Sequence, residues 1–464
     1  MTLKIALYSV TKGAASWLAL IVTSVALAVV LTLNIGLIVA GSATEGEAQQ
    51  GYAAMGGVAL GFSLLTGLAS FVLVVGICVR LQRRDVALWQ IVGLLPRAAF
   101  NIMITEILLV SVVSAVVGSL VAIAVWPPYA RFVSTSGLPP SEVLHQGIPP
   151  IALIIGISIT AGISVLAGVR SSWKVVRDNL VESVKSSTTF EAKARSIPAR
   201  IAMLLVAVLL VFGVGAIYRA IGTAELITDP SRVGNFLTSY PGMGLLLCLV
   251  FALVGGPIVR FFVHIVKSMP VGRIPVFLAT REAAARPRLT QAIVIPMSLA
   301  AAAVGIMVEW VDKLTAIMAA ETGSTNAVSA PPEQVALLLG GPVIAACVAA
   351  AAIVFATASN RQEDNALLLV SGTTPGVVYA KALLEAIVYG VVACACAYLI
   401  VVVNEIAMVA ALNAGPIPSA TFSMPGWSGA AVVGFGIALT ILMLLVITST
   451  GLRKQSINVV LGGT

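Results

Sequence analysis

Few side chains in this chain could do chemistry, and those that recur at fixed spacing are acidic groups set among leucines, a glycine and a proline. Asp85, Gly93, Pro96 and Glu106 are matched 279 residues later by Asp364, Gly372, Pro375 and Glu385, without a gap. The first copy reads Arg83-Arg84-Asp85-Val86-Ala87-Leu88-Trp89-Gln90-Ile91-Val92-Gly93-Leu94-Leu95-Pro96. The second reads Gln362-Glu363-Asp364-Asn365-Ala366-Leu367-Leu368-Leu369-Val370-Ser371-Gly372-Thr373-Thr374-Pro375. A charged entry, a short apolar face, a glycine stop and a proline restart suit docking and the passing of force, not bond-making. Catalytic sets are missing. His145 and His264 stand alone, and there is no G-x-x-x-x-G-K-[ST] phosphate loop and no Gly-Lys dipeptide. Cys78, Cys248, Cys347, Cys394 and Cys396 lie in or at the ends of apolar runs and read as buried small hydrophobes, with no metal site expected.

The elements that must position the repeated segment are long apolar runs. The chain is 59% hydrophobic and 10% charged, with a mean hydropathy of +1.05, whereas soluble domains are roughly a quarter charged. Ten runs reach the length needed to cross a bilayer: 16–40, 57–80, 105–126, 149–169, 201–220, 243–266, 291–310, 335–358, 381–403 and 428–450. Ala40-Gly41-Ser42-Ala43 imitates a signal-peptide cleavage site, but the run before it is too long, so the first span is expected to be retained. With both termini inside, all but Arg131, Arg219, Arg232 and Lys313 of the 27 basic residues fall on the inner side. The outer side is then net acidic. Topology accounts for the basic face, and no nucleic acid is needed.

Six spans separate the two copies, so both enter the membrane in the same direction and the repeats are parallel. The expected fold is an all-α polytopic membrane protein of about ten transmembrane helices. Residues 1–170 form the first four-span repeat, 171–200 an amphipathic helix and linker, 201–270 a two-span spacer, and 271–464 the second four-span repeat. Segments 172–184 and 451–460 read as amphipathic helices on the inner surface. The small residues Gly57, Gly61, Ser298 and Gly305 suggest close helix packing.

Within each copy, helix-like spacing puts Ala87, Leu88, Ile91, Val92 and Leu95 on one face. Gly93 and Gly372 are expected to stop a short helix in a left-handed conformation, and Thr374 to cap a new helix beginning at Pro375. The residues singled out for coupling are Arg84, Asp85, Leu88, Trp89, Gly93 and Pro96 in the first copy, and Asp364, Leu367, Gly372 and Pro375 in the second. The segment reads either as a docking elbow or as a corner resting on lipid headgroups, with Trp89 filling a notch on a partner or anchoring at the interface.

The run Arg83-Arg84-Asp85-Val86-Ala87-Leu88-Trp89-Gln90-Ile91-Val92-Gly93 resembles the signature of FtsX-like permeases of ABC transporters, the MacB-type or mechanotransmission class. The second copy departs from it at Gln362, Glu363 and Asn365. The four-two-four arrangement of spans is similar to bacitracin-resistance permeases, although 311–332 is too short for their large extracellular domain. The resemblance implies a permease in the bacterial plasma membrane, both termini cytoplasmic, that is not itself an enzyme. It also implies a separate cytoplasmic ABC ATPase, in two copies, that binds the ATP and Mg. Export or extraction of a hydrophobic or amphipathic substrate would follow: an antimicrobial peptide, lipid, haem or drug. Membrane lipid and a sensor kinase are the further partners implied. Two rival readings are an ion-coupled secondary transporter, disfavoured because the middles of the spans carry almost no charge, and a transmembrane signalling component.

Overall fold

The computed structural model describes residues 14–43, 47–135, 146–177, 240–269, 274–322, 332–412 and 428–461, with 212–213, 215–216, 219–220 and 426. The expected span at 201–220 lies almost wholly outside these residues, as does the linker at 185–200. Twelve helices follow in order: α1 (Ala14–Ser42), α2 (Glu47–Leu81), α3 (Arg83–Ile91), α4 (Pro96–Thr135), α5 (Pro150–Arg177), α6 (Tyr240–Ser268), α7 (Ile274–Ala285), α8 (Pro287–Thr322), α9 (Pro332–Ala356), α10 (Ala358–Val370), α11 (Pro375–Leu412) and α12 (Ser428–Leu461). Nine of them (α1, α2, α4, α5, α6, α8, α9, α11 and α12) are long and apolar enough to cross a membrane. The protein is therefore an all-α, multi-pass membrane protein.

Helices are the form this composition requires, because hydrocarbon offers no partner for an open backbone group. Hydroxyls inside the spans bond back to their own helix, as Thr23 Oγ1 does to the Ala19 carbonyl at 2.7 Å and Ser63 Oγ to the Ala59 carbonyl at 2.6 Å. Between helices, the Asn34 amide donates to Ser63 Oγ at 3.0 Å and ties α1 to α2.

Helices α1, α2, α4 and α5 pack on one another, as do α8, α9, α11 and α12; α9 lies against α1 and α2, and α6 against α8 and α11. Glycine sets the closest crossings. A Cβ on Gly118 would sit 2.6 Å from the Val25 carbonyl oxygen, and one on Gly341 would sit 2.6 Å from Val30. Helix α8 is the most enclosed span: Met297, Leu299, Ala300, Ala301, Ala302 and Ala303 are all buried.

The two inner-surface segments expected as amphipathic helices are helical where they are described. Helix α5 runs unbroken through 172–177, residues 178–184 lying outside the described residues, and α12 continues to Leu461, so 172–177 and 451–460 extend spanning helices. Nothing at 170–177 breaks a helix, and Lys174 and Arg177 suit its C-terminal turn.

Leu337 packs with Leu33 and Leu37, and Gly341 with Val30, so α9 runs antiparallel to α1. The end of α9 therefore lies beside the start of α1, at the end where α2 finishes. The short helices α3 and α10 consequently emerge at the same end of the bundle.

Candidate functional site

Each short helix is closed by the same hydrogen-bond pattern. In α3 the Gly93 amide donates to the Gln90 carbonyl and the Leu94 amide to the Trp89 carbonyl, both at 3.0 Å. In α10 the Gly372 amide donates to the Leu369 carbonyl at 3.0 Å and the Thr373 amide to the Leu368 carbonyl at 3.1 Å. This is the double-bonded left-handed cap that glycine favours, and φ is +104° at Gly93 and +92° at Gly372. The chain then restarts without slack. The Ala98 and Ala99 amides bond the Leu95 carbonyl at the head of α4, and those of Val377 and Val378 bond Thr374 at the head of α11. Each short helix is thus joined to the spanning helix that follows by a short hydrogen-bonded turn.

The apolar face of α3 is divided. Val86 and Ala87 are buried at 1% and 3% exposure, whereas Leu88, Ile91, Val92 and Leu95 are 46%, 60%, 89% and 73% exposed. Trp89 does not project outward; it packs half-buried against the bundle core. Gln90 donates to the Val176 carbonyl at 3.0 Å and fastens α3 to α5. Arg84 and Asp85 occupy the first turn, with Asp85 exposed, and Gly93 and Pro96 are exposed at the elbow. On α10 the exposed apolar residues are Leu367 and Val370, at 70% and 86%. The positions matching Val92 and Leu95 are Ser371 and Thr374, so the second edge is smaller and more polar. Gly372 and Pro375 are exposed, as in the first copy.

Around α10 lies a charge network that the sequence reading did not assemble. Arg361 Nη1 lies 2.8 Å from both oxygens of Glu385 on α11, at 4% and 2% exposure of the two residues. The Tyr389 hydroxyl donates to the same carboxylate. Burial works against the Arg361 charge, but Glu385 and Tyr389 more than offset it and hold the guanidinium above its ordinary pKa. Asp364 is paired with Arg286, which also meets Glu282 at 3.5 Å, and Glu282 is paired with Lys381. The network joins α7, the Arg286 link before α8, α10 and α11. The available signal was spacing: Arg361 and Glu385 stand 24 residues apart, as do Gln82 and Glu106.

Among the described residues no cluster of His, Cys, Asp and Glu could hold a metal ion, and the five cysteines are unpaired.

Among the described residues, nine helices long and apolar enough to span a membrane, with two short-helix elbows at one end, define a class, a polytopic helical membrane protein. Residues 57–180, which contain α3 and its elbow, match the family model of the FtsX-like permease C-terminal domain. No curated protein and no solved structure matches the chain.

Proposed function

We propose that this chain is the membrane permease of an ATP-driven ABC-type transporter, in the bacterial plasma membrane with both termini cytoplasmic. Two copies of a separate ATPase dock on α3 and α10, bind ATP and Mg, and move α4 and α11 as they close. The cargo is hydrophobic or amphipathic, of the kind an antimicrobial peptide, lipid, haem or drug represents. The observation that carries the reading is the pair of equivalent elbows at one end of the bundle. Each combines an exposed apolar edge with a hydrogen-bonded link into the next span. The FtsX-like permease domain over the first elbow supports it, and the concentration of Lys and Arg on that side agrees with a cytoplasmic face.

Purification of the tagged chain from its native membranes in mild detergent tests this reading. Two ATPase subunits per chain are expected, and Leu88→Asp together with Leu367→Asp removes them. A chain that emerges alone after cross-linking in intact membranes overturns the proposal.

A further inference from the structure

At the end of the bundle opposite α3 and α10, α6, α8 and α11 enclose a small polar locus. Tyr240 opens α6, Glu309 lies on α8, and Asn404 and Glu405 are adjacent on α11; their exposures are 0%, 5%, 0% and 0%. The Tyr240 hydroxyl faces Asn404, Glu405 and Glu309. One turn deeper the helices close on each other: a Cβ on Gly244 would meet Ile306 at 2.7 Å, and one on Gly305 would meet Val401 at 2.7 Å. The polar groups therefore sit on a sealed apolar floor. Above them the exposed Gly426 donates its amide to Glu309 Oε1 at 2.6 Å.

Two independent observations point to a ligand here. Neither atom of the Asn404 amide makes a well-formed hydrogen bond, although the Tyr240 hydroxyl lies beside it. Fully buried polar atoms are ordinarily paired, and orphans call for an explanation. In addition, the fold does not need polar residues at this place. Trp126 stands 30 residues beyond Pro96, as Glu405 stands 30 beyond Pro375. In that first-repeat locus the Trp126 ring fills the space over Gly36, where a Cβ would come within 2.8 Å of it. One half of the molecule thus plugs the site with indole, and the other lines it with two carboxylates, an amide and a phenol.

We propose that Glu309, Asn404, Glu405 and Tyr240 bind the ammonium group of an amphipathic amine entering from the outer leaflet; this names the substrate class of the permease reading and rests on it. An ammonium carries three donors and no acceptor, which the two carboxylates and the Asn404 carbonyl oxygen can accept. The Tyr240 ring adds an aromatic wall suited to a cation. Calcium and magnesium are poorly matched, since they take six or more oxygen ligands. Ile406, next to Glu405 and 53% exposed, marks the apolar outer face of α11 along which an alkyl tail can lie.

The test uses the purified chain in lipid nanodiscs, without any ATPase, titrated with dodecylamine, dodecanol and sodium chloride. Binding is read from tryptophan fluorescence, Trp310 being the neighbour of Glu309 in sequence. The wild type is expected to prefer the amine over the alcohol, and Glu405→Gln to weaken amine binding by about 30-fold or more. Glu309→Gln, at the rim, gives the same loss should Glu405→Gln fail to fold. Asn404→Leu separates a ligand site from a tolerated orphan: it loses the amine preference in the first case, and in the second keeps it while raising thermal stability. Equal binding of amine and alcohol by the wild type, saturation by sodium alone, or a preference that survives both glutamine variants overturns the inference. Amine binding by a chain that recruits no ATPase leaves the site standing and sinks the ABC reading instead.

Discussion

The Arg361 guanidinium and the Glu385 carboxylate form a buried ion pair that fastens the short helix α10 to the spanning helix α11, with Nη1 2.8 Å from both carboxylate oxygens. The matching residues in the first half are Gln82 and Glu106, at 6% and 0% exposure. There a neutral amide stands in place of the guanidinium, and its Oε1 is buried without a partner. The two elbows therefore share one backbone geometry but are fastened differently.

Arg361→Gln removes one member of the pair and leaves the other charge buried, which is expected to cost about 3–5 kcal/mol. Glu385→Gln added to Arg361→Gln should restore much of that loss, because no uncompensated charge then remains. Denaturation midpoints of the two single variants and the double variant in nanodiscs form the cycle that checks this. Additive effects would show that the two side chains do not act as a pair.

Gly93 and Gly372 have open space where a Cβ would go, so substitution there tests backbone conformation alone. Gly93→Ala and Gly372→Ala are each expected to cost about 1–2 kcal/mol, the penalty of left-handed backbone for an L residue. Asn is expected to cost less than Ala, and Val more. Thermal unfolding of the series gives the ranking, and a Val variant as stable as wild type would contradict it.

Val92→Ser with Leu95→Thr gives the first elbow the outer residues of the second. Both side chains are exposed, so the fold should shift by no more than about 0.5 kcal/mol. ATPase retention should nevertheless fall by about ten-fold or more, given roughly 1.5–3 kcal/mol for burying one large apolar side chain. The reciprocal Ser371→Val with Thr374→Leu should raise retention. Quantitative pull-down with a fixed ATPase concentration reads both, and unchanged retention in both would remove the exposed edges from the docking surface.

Gly118→Val forces α4 away from the Val25 carbonyl on α1, which a Cβ would approach to 2.6 Å. Backbone cannot yield as a flexible side chain does, so overpacking of about 1–3 kcal/mol is expected. Gly57→Val, where a Cβ meets nothing within 4 Å, is the matched control. Equal unfolding midpoints for the two variants would show that α1 and α4 do not pack this closely.

Hydropathy and charge alone determined the all-helical, polytopic character of the chain, because in hydrocarbon a long apolar run has essentially one hydrogen-bonded form open to it. The elbows were legible for a similar reason: Gly93 and Pro96, like Gly372 and Pro375, impose local backbone states that need no tertiary information. Trp89 was not legible, since whether an aromatic on a short helix faces a partner or its own core depends on what α3 lies against. The same holds for the continuation of α5 and α12 beyond their apolar runs. Only the tertiary structure brought Arg361 to Glu385, and Tyr240 to Glu309, Asn404 and Glu405. A carboxylate 24 residues along the chain, or on a third helix, meets its neighbour only when the helix crossings are set, and around Glu309 and Glu405 the close approaches at Gly244 and Gly305 set them.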